Sequence, residues 1–479
     1  MKHPTKEPDS FLDRYFQLSL RSTTIGREIR GGLVTFIAMS YILVVNASVL
    51  GVAAPDNISP ASIAAGTALI GGVMTIIMGV VANFPMALAS GMGLNAIVAF
   101  TLANKDLLGL TFQEAMGLIF WEGVAITILV ITGFREAVFK AVPSQLKIAI
   151  SVGIGLFIAF IGLINAGVVR PGGTPVQLGI NGSFDGWPMV VFLFGLVVII
   201  VLHVRKIQGA LLIGIASSTV LAMIVQSVAK IPAMHDKGEV VNPTGWSLNV
   251  PALEGAPIAL PDFSTLGAID FFGAFSKLGP VAVLLLIFSL MLADFFDTMG
   301  TMVAVGAGAN LLDKESNPPK AKEILLVDSL AAVAGGLGGV SSNTSYVEST
   351  AGVGEGARTG LASVVTGVLM LLAMFFAPIV DLVPAEAAST ALVFVGFLMM
   401  LSVSDIDWHD TEIALPAFFT IAMMPFTYSI TTGIGLGFIA YVVVKLARGK
   451  IASIHPLMWI ISILFMIYFA LTPIQTLLG

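Results

Sequence analysis

The sequence predicts an all-α polytopic membrane protein with about fourteen transmembrane segments, arranged as two inverted repeats of seven spans each. Three observations support this prediction: an apolar composition, apolar stretches of membrane-spanning length, and one polar interruption in each half of the chain. Of the 479 residues, 57% are hydrophobic and only 11% are charged, and the mean hydropathy is +0.97. Because soluble domains carry about a quarter charged residues, this composition indicates a chain embedded in lipid.

The apolar stretches have the length of about 20 residues that a helix needs to cross a bilayer. In the first half, we place spans at 31–51, 62–82, 86–103, 112–133, 146–166, 186–203 and 208–229. In the second half, we place them at 280–305, 323–340, 345–356, 359–382, 387–403, 411–430 and 431–447. A further apolar stretch at 456–477 is either a fifteenth crossing or a sign that two of the preceding spans are half-length.

The boundaries of these units follow changes in polarity along the chain. Residues 1–29 are expected to form a cytoplasmic tail, and 30–231 the first repeat. The polar, proline-rich stretch 232–279 is expected to be an extracytoplasmic linker, and 280–479 the second repeat. With the N-terminus inside, the basic residues that fall outside are Lys105, Arg170, Lys230, Lys237 and Lys277. The other Lys and Arg residues fall inside, which favours this topology, and an odd number of spans per repeat places the second repeat upside down.

The composition also excludes several kinds of chemistry. The chain contains no cysteine, which rules out disulfides, thiolate metal sites and cysteine nucleophiles. Its five histidines are scattered, and none forms a pair with glutamate at the spacing of metal ligands. We therefore expect no metal site. We also expect no cofactor, no enzymatic activity and no nucleic-acid partner, with membrane lipid as the surrounding medium.

One polar segment interrupts the apolar chain in each half. In the second half, Ser341–Gly352 is rich in Ser and Thr, carries the carboxylate of Glu348, and follows a glycine run at 335–339. In the first half, Asn83–Asn95 is broken by one proline and two glycines. Non-helical backbone at membrane depth is tolerated only inside protein or beside a wet cavity, and two such segments are typical of transporters with inverted repeats. The alternative is that both are re-entrant loops or glycine-rich packing sites.

We expect each interruption to contain a short extended piece that reaches the membrane midplane, followed by a half-helix. The third and tenth spans would then be broken, with half-helices that begin near Gly93 and near Val347 and meet at the centre. The first N–H groups of a helix lack intrahelical partners, and they carry partial positive charge. Together these features predict a polar pocket for a small, flat polar molecule or for an anion.

Two acids lie on one face of the eighth span. Asp294, Asp297 and Thr301 recur at helical spacing, and the span contains neither Lys nor Arg. Because a charge at the centre of a helix in lipid costs ~2.5–3.5 kcal/mol on insertion scales, this face is expected to point into the protein. For Asp294, a purely structural hydrogen bond is the alternative. Two further acids, Glu122 in the fourth span and Asp328 in the ninth, fit structural hydrogen bonding as well as function.

The buried acids suggest a proton-coupled role. Desolvation favours the protonated form of an unpaired carboxyl group, which then donates one hydrogen bond and accepts another, as the edge of a nucleobase requires. Proton uptake by one acid can be coupled to substrate binding by another. The amide of Asn95 adds a donor and an acceptor, and Phe295, Phe296 or Tyr346 offers a stacking face or simply packs in the interior. Tyr41 and Asn46 in the first span are further candidates to line the pocket.

Four segments together resemble a known family. They are Gly32–Asn46 in the first span, Gly93-Leu-Asn95, Asp297-Thr-Met-Gly-Thr301 and Thr344-Ser-Tyr-Val-Glu348. This combination is similar to the azaguanine-type purine permeases, which belong to the xanthine/uracil permease superfamily of nucleobase:cation symporters. The similarity extends over nearly the whole chain, from residue 11 to residue 450.

The resemblance implies a core domain of spans 1–4 and 8–11, and a gate domain of spans 5–7 and 12–14 through which such permeases often dimerise. It implies that Asp297 and Glu348 contact the base, with further contacts from the third span. The substrate-binding candidates are Asp297, Glu348, Asn95, Gly93, Val347, Ser349, Thr301 and Phe296. Thr301 stands where the superfamily often has a second ionisable residue, so Asp297, Glu348 and Asp294 are the candidates that carry the coupling proton.

These observations predict a proton-coupled importer of purine nucleobases, such as adenine, guanine or hypoxanthine, in which the core moves against the gate. We expect a homodimer in the cell membrane with a cytoplasmic N-terminus. A small-anion exchanger on the same fold is an alternative, although such a site normally relies on half-helix dipoles and avoids carboxylates. A membrane-embedded aspartyl protease is a remote alternative, because a catalytic Asp in a Gly-x-Gly-Asp context is absent.

Overall fold

The structure, a computed structural model, describes residues 10–104, 107–132, 142–207, 209–236, 239–247, 249–252, 256–313 and 318–470. The first nine residues of the expected tail lie outside these ranges. So do Lys105 and Lys237, two of the basic residues that the predicted topology leaves outside the cell.

The described part of the chain is mainly helical. The first half contains α1 (Phe11–Phe16), α2 (Ile25–Met39), α3 (Tyr41–Gly51), α4 (Pro60–Ile77), β1 (Leu88–Ser90), α5 (Met92–Ile97), α6 (Phe112–Thr132), α7 (Ser144–Asn165), β2 (Val169–Arg170), β3 (Gln177–Leu178), α8 (Trp187–Val204) and α9 (Ala210–Ala229). Wider π-helical turns extend α4 over Met78–Ala82 and α5 over Val98–Leu102.

The second half repeats the arrangement in which a strand and a short half-helix follow two long helices. It contains β4 (His235–Asp236), β5 (Glu239–Val240), α10 (Gly273–Leu278), α11 (Pro280–Gly308), α12 (Ala321–Gly338), β6 (Asn343–Ser345), α13 (Ser349–Gly354), α14 (Gly360–Ala373), α15 (Ala385–Met400), α16 (Thr411–Phe426), α17 (Ile430–Ala447) and α18 (Pro456–Phe469). Tighter 3-10 turns extend α14 over Met374–Leu382 and α15 over Leu401–Asp405.

Several helices begin where the sequence provides a capping side chain. Thr24, Ser59 and Ser429 each accept a hydrogen bond from a backbone N–H of the first turn of α2, α4 and α17. Such caps satisfy N–H groups that have no partner within the helix. Pro60 occupies the first position of α4, where its missing N–H costs nothing.

The predicted fold class is confirmed. Within the described residues, nine helices are long and apolar enough to cross a membrane, and shorter apolar helices such as Met92–Leu102, Thr411–Phe426 and Pro456–Phe469 accompany them. The third and tenth spans are broken, as expected. The apolar stretch 456–477 contains the helix α18 (Pro456–Phe469), and its residues 471–477 lie outside the described ranges.

The two broken spans meet at a pair of short strands. β1 and β6 are antiparallel, with Leu88 opposite Ser345 and Ser90 opposite Asn343. The strand pair is entirely buried, and each strand leads into a half-helix, α5 or α13. Since the strands run in opposite directions, the half-helices leave the centre in opposite directions, which is the relation that inverted repeats require.

The backbone of β1 finds partners away from water. The Thr75 hydroxyl receives a hydrogen bond from the Leu88 N–H at 2.9 Å and donates one to the Leu88 carbonyl at 3.0 Å. At the end of the strand, the Gly91 N–H donates to the Ser342 carbonyl at 2.8 Å. Extended backbone at membrane depth is stable only when such groups are satisfied by protein.

The long helices form two groups. The broken-span group consists of α2–α6 and α11–α14, in which α6 packs on α12 and α14 packs on α2 and α4. The flanking group consists of α7–α9 and α15–α17, in which α7 packs on α15 and α16, and α8 and α9 pack on α15. Glycine permits the closest contact, since a Cβ on Gly396 of α15 would lie 2.4 Å from the Gly155 carbonyl of α7.

The connection between the halves is attached to both groups. The Ser247 N–H donates to Oε1 of Glu386 in α15 at 2.8 Å, which ties one end to the flanking group. The Asp270 N–H donates to the carbonyl of Gln113 in α6 at 2.9 Å, which ties the other end to the broken-span group. The predicted linker therefore packs on the helix bundle on both sides.

Candidate functional site

A cavity lies where the two broken spans approach α11. Its walls come from both helix groups. The broken-span group contributes α3, the start of α5, α11 and the segment 344–348, and the flanking group contributes one side chain of α7 and two of α15. A site shared by two groups of helices can change its exposure when the groups move against each other.

The acids of the eighth span line this cavity. Asp294, Asp297 and Thr301 lie on one face of α11 and all three reach the cavity wall. Asp294 is buried, whereas Asp297 is half-buried and faces the open space. The helical spacing in the sequence therefore identified a face that points into the protein.

Glu348 lines the same cavity, from the turn that precedes α13. The Tyr41 hydroxyl of α3 donates a hydrogen bond of 2.7 Å to Oε1 of Glu348. Hydrogen bonds to a charged acceptor are among the strong ones in proteins, so Tyr41 fixes the direction in which this carboxyl points. Asp297 lies on the eighth span and Glu348 on the broken tenth span, and the fold brings both to one cavity.

Two other predicted residues can be placed. Gly93 and Val347 line the cavity beside the starts of the two half-helices, and Val347 is 51% exposed. A Cβ on Gly93 would lie 2.7 Å from Cγ2 of Ile154 in α7, so only glycine permits this approach of the two helix groups. The side chain of Phe296 lies outside the described residues.

Asn95 and Ser349 are buried but do not belong to the cavity wall. The Ser90 hydroxyl donates to Oδ1 of Asn95 at 2.7 Å. The Ser349 hydroxyl donates to the Tyr346 carbonyl at 2.6 Å and accepts from the Ala87 N–H at 3.0 Å. In the structure, these two side chains hold the broken spans in place.

The first span contributes one of its two polar candidates to the cavity. Tyr41 lines it, whereas Nδ2 of Asn46 donates to Thr67 at 2.8 Å and to the Val340 carbonyl at 3.3 Å. Tyr346 was predicted as a possible stacking residue. Its hydroxyl donates a hydrogen bond to the Ser90 carbonyl. Tyr346 therefore braces one broken span against the other while its side chain borders the cavity.

The structure adds residues that sequence reasoning missed. Ile154, Val395 and Met399 of the flanking group close one side of the cavity. An apolar residue in an apolar helix gives no contrast in sequence, so no signal was available for these three. Thr344 and Ser345 belong to the Thr-Ser-Tyr-Val-Glu motif and line the wall beside Tyr346, and their polarity in an apolar region was a usable signal.

The fold and this cavity are those of a membrane transporter. Polar groups converge at a break in two membrane helices, as in secondary transporters. Among the side chains that the structure describes, no group of three or more His, Cys, Asp or Glu residues is arranged to hold a metal ion.

The chain belongs to the permease family of xanthine and uracil permeases, whose family model matches residues 26–436. The adenine permease AdeP of Escherichia coli (strain K12) is 38% identical over 457 residues, which cover 95% of this chain and 95% of that protein. The guanine/hypoxanthine permease PbuG of Bacillus subtilis (strain 168) is 38% identical over 465 residues, with coverage of 95% and 98%. The resemblance seen in the four sequence segments is thereby confirmed.

A solved structure supports the fold. The transmembrane domain of a cyanobacterium bicarbonate transporter, BicA, superposes with a TM-score of 0.56 and 14% sequence identity, over 87% of this chain and 97% of that one. At this identity, the likeness shows a shared architecture of the helices and nothing about the substrate.

Proposed function

We propose that this protein imports purine nucleobases across the cell membrane by proton symport. The observation that carries the proposal is the convergence of Asp297 and Glu348 on one cavity between the two broken spans. Kinship with proteins named as adenine and guanine/hypoxanthine permeases supports the substrate class. The excess of basic residues on one side supports a cytoplasmic N-terminus.

The chemistry of the cavity suits a nucleobase. A purine presents donors and acceptors along its edges, and a carboxyl group accepts hydrogen bonds when ionised and also donates one when protonated. In the proposal, Asp297 and Glu348 bind two parts of the purine edge. The backbone near Gly93 and Val347 lies against the base. The apolar side chains of the flanking group cover its flat face.

Transport in this proposal is a movement of the broken-span group, as the core, against the flanking group, as the gate. The cavity has walls from both groups, so relative movement exposes it first to one side of the membrane and then to the other. The contact between Gly93 and Ile154 lies at this boundary.

Uptake of labelled adenine, guanine and hypoxanthine into cells that lack other purine permeases tests the site. We expect Asp297→Asn and Glu348→Gln to lower uptake at least tenfold, because a lost hydrogen bond to a charged group costs about 1.5–3 kcal/mol. Glu355→Gln is the matched control, since Glu355 is partly exposed and pairs with Arg30 away from the cavity. Normal uptake by both site variants, at normal expression, would remove the assignment.

A small-anion exchanger is the second candidate, because the fold is shared with a bicarbonate transporter. The two carboxyl groups in the cavity oppose it, since they repel an anion. Competition experiments separate the two functions. Unlabelled adenine in excess is expected to reduce uptake of labelled purine, whereas sulfate and bicarbonate are not.

We also propose that the protein is a homodimer through the gate. In support, α8 carries an outward row of apolar side chains, among which Val197 is 58% exposed and Val201 is 45% exposed. Lipid can cover the same row, so the oligomeric state has to be measured. Mass measurement of the protein in native-like lipid particles is expected to give twice the chain mass, and a single chain mass would contradict the proposal.

A further inference from the structure

A second cluster of acids lies behind the cavity. Glu122 of α6, Asp294 of α11 and Asp328 of α12 are 0%, 1% and 3% exposed. In the described part of the chain, the charged groups that act on these three carboxyls are other acids, including Asp297. Buried charges are normally paired or bound to a cation, so this cluster requires an explanation.

Hydrogen bonds satisfy only part of the cluster. The Thr298 hydroxyl donates to Oδ2 of Asp328 at 2.7 Å, and the Ser342 hydroxyl donates to Oε2 of Glu122 at 3.3 Å. Oε1 of Glu122, Oδ1 of Asp328 and both oxygens of Asp294 are buried without a hydrogen-bond donor.

Glu122 and Asp294 interact where α6 packs on α11. The protonation of each carboxyl affects the other, and the Ser342 hydroxyl, which donates to Oε2 of Glu122, lies beside the pair. Two ionised carboxylates offer acceptors only and repel each other. A single proton between them turns one carboxyl into a donor and removes the repulsion, as in other carboxyl pairs that share a proton.

We propose that Glu122 and Asp294 share one proton, and that this pair is the proton site of transport. The inference rests on the proposed symport and deepens it by separating the proton site from the base-binding carboxyls of Asp297 and Glu348. Proton uptake forms an O–H bond on one carboxyl of the pair. Proton release breaks that bond, and the proton passes to water in the cavity. The pair then becomes two carboxylates.

The position of Asp294 connects the pair to the substrate. Asp294 borders the cavity, whereas Glu122 is not part of the cavity wall. Asp328 is also connected to the cavity by hydrogen bonds. The Thr298 hydroxyl donates to Asp328 and lies 2.8 Å from the Thr344 hydroxyl, and Thr344 lines the cavity. Loading of the pair therefore changes the charge directly behind the base-binding groups, while Asp328 and Asp297 are the titratable neighbours that face it.

The test uses the purified full-length protein in liposomes. Glu122→Gln keeps a hydrogen-bond donor beside Asp294 but cannot release a proton from that position. We expect this variant to bind purine and to exchange labelled for unlabelled purine. Purine accumulation driven by an imposed proton gradient is expected to fall about tenfold or more, which is within the range of coupling between two ligand sites. Glu114→Gln is a matched control on the same helix, since Glu114 pairs with Lys277 at 2.7 Å.

Two further measurements keep the result decisive. Infrared difference spectra between the wild type and Glu122→Gln are expected to contain a protonated carboxyl band that disappears in the variant. Gradient-driven accumulation by Glu122→Gln at the wild-type level, or absence of that band, would overturn the shared proton as the coupling site. If the wild type itself moves no purine, the proposed function fails instead, and the infrared band still reports on the pair.

Discussion

At the scale of single residues, the cavity carboxyls owe their positions to side chains around them. Glu348 is held by the hydroxyl of Tyr41, whereas Asp297 owes its position to the inner face of α11. A site functions well when the groups that touch the ligand are oriented by a second set of contacts. The two carboxyls therefore respond differently to changes in their surroundings.

Replacement of Tyr41 by Phe tests this orientation. The variant keeps the ring and loses the hydroxyl that donates to Glu348. Because such a hydrogen bond contributes about 1.5–3 kcal/mol, we expect the Michaelis constant for purine uptake to rise about tenfold or more, with a smaller effect on the maximal rate. Tyr441→Phe is the control, since the Tyr441 ring lies near Lys445 on α17. An unchanged Michaelis constant for Tyr41→Phe would show that Glu348 needs no such support.

The sequence predicted the polar residues of the cavity better than its apolar ones. Asp297 and Glu348 could be identified because an ionisable side chain in an apolar span costs free energy, which makes it a candidate functional residue. Ile154 and Met399 were not visible, because their apolar side chains match their surroundings. Asn95 was identified as polar and buried, but sequence alone cannot distinguish a partner within the fold, here the Ser90 hydroxyl, from a ligand.

At the scale of elements, the backbone groups of each broken span that lack helical hydrogen bonds bind to partners from elsewhere in the chain. The hydroxyl of Thr75 in α4 is one such partner, because it serves both the N–H and the carbonyl of Leu88 in β1. Loss of this side chain leaves two buried backbone groups unsatisfied. A small residue thus supports the geometry of the whole third span.

Thr75→Val removes the hydroxyl while it preserves the shape of the side chain. Since each unsatisfied buried group costs about 1–3 kcal/mol, we expect a destabilisation of roughly 2–4 kcal/mol and a clearly lower midpoint of thermal unfolding in detergent. Thr132→Val is the matched control, because the Thr132 hydroxyl bonds to the Ile128 carbonyl at an exposed position. Equal unfolding midpoints for the two variants would contradict this role of Thr75.

The boundary between the two helix groups gives a second prediction for the elements. A Cβ on Gly93 would lie 2.7 Å from Cγ2 of Ile154, which is closer than two carbon atoms can approach. We expect Gly93→Ala to slow purine uptake at least tenfold, because overpacking at a tight contact costs about 1–3 kcal/mol.

The double variant Gly93→Ala with Ile154→Ala supplies the control, because removal of the isoleucine branch makes room for the added methyl group. We expect the double variant to recover a measurable part of the lost uptake. If it stays as slow as Gly93→Ala while both proteins reach the membrane, the contact does not explain the defect.

The breaks themselves were predictable from sequence, but other irregularities were not. Proline, glycine and polar residues marked the interruptions before α5 and α13. The first span is also divided, at Ser40 between α2 and α3, and α4 ends in the π-helical turn Met78–Ala82. Neither position carries a proline, and packing decides such local changes of helix geometry.

At the scale of the whole molecule, the inverted repeats bring two equivalent half-helix starts to one place. The odd number of spans per repeat predicted this relation, because it reverses the direction of the second half. The partition into two packed groups followed from the structure, since packing of helices in a membrane depends on small residues such as Gly155 and Gly396. How helices pair along an apolar chain has no comparable signal in the sequence.

Equilibrium binding tests the central claim most directly, because it requires only that Asp297 and Glu348 hold a purine in one cavity. Binding of adenine, guanine and hypoxanthine to the purified protein is measured by calorimetry, with Asp297→Asn, Glu348→Gln and the control Glu355→Gln. We predict binding of at least one purine by the wild type and the control, and a loss of affinity of about tenfold or more in each site variant. Wild-type affinity in both site variants would contradict the account.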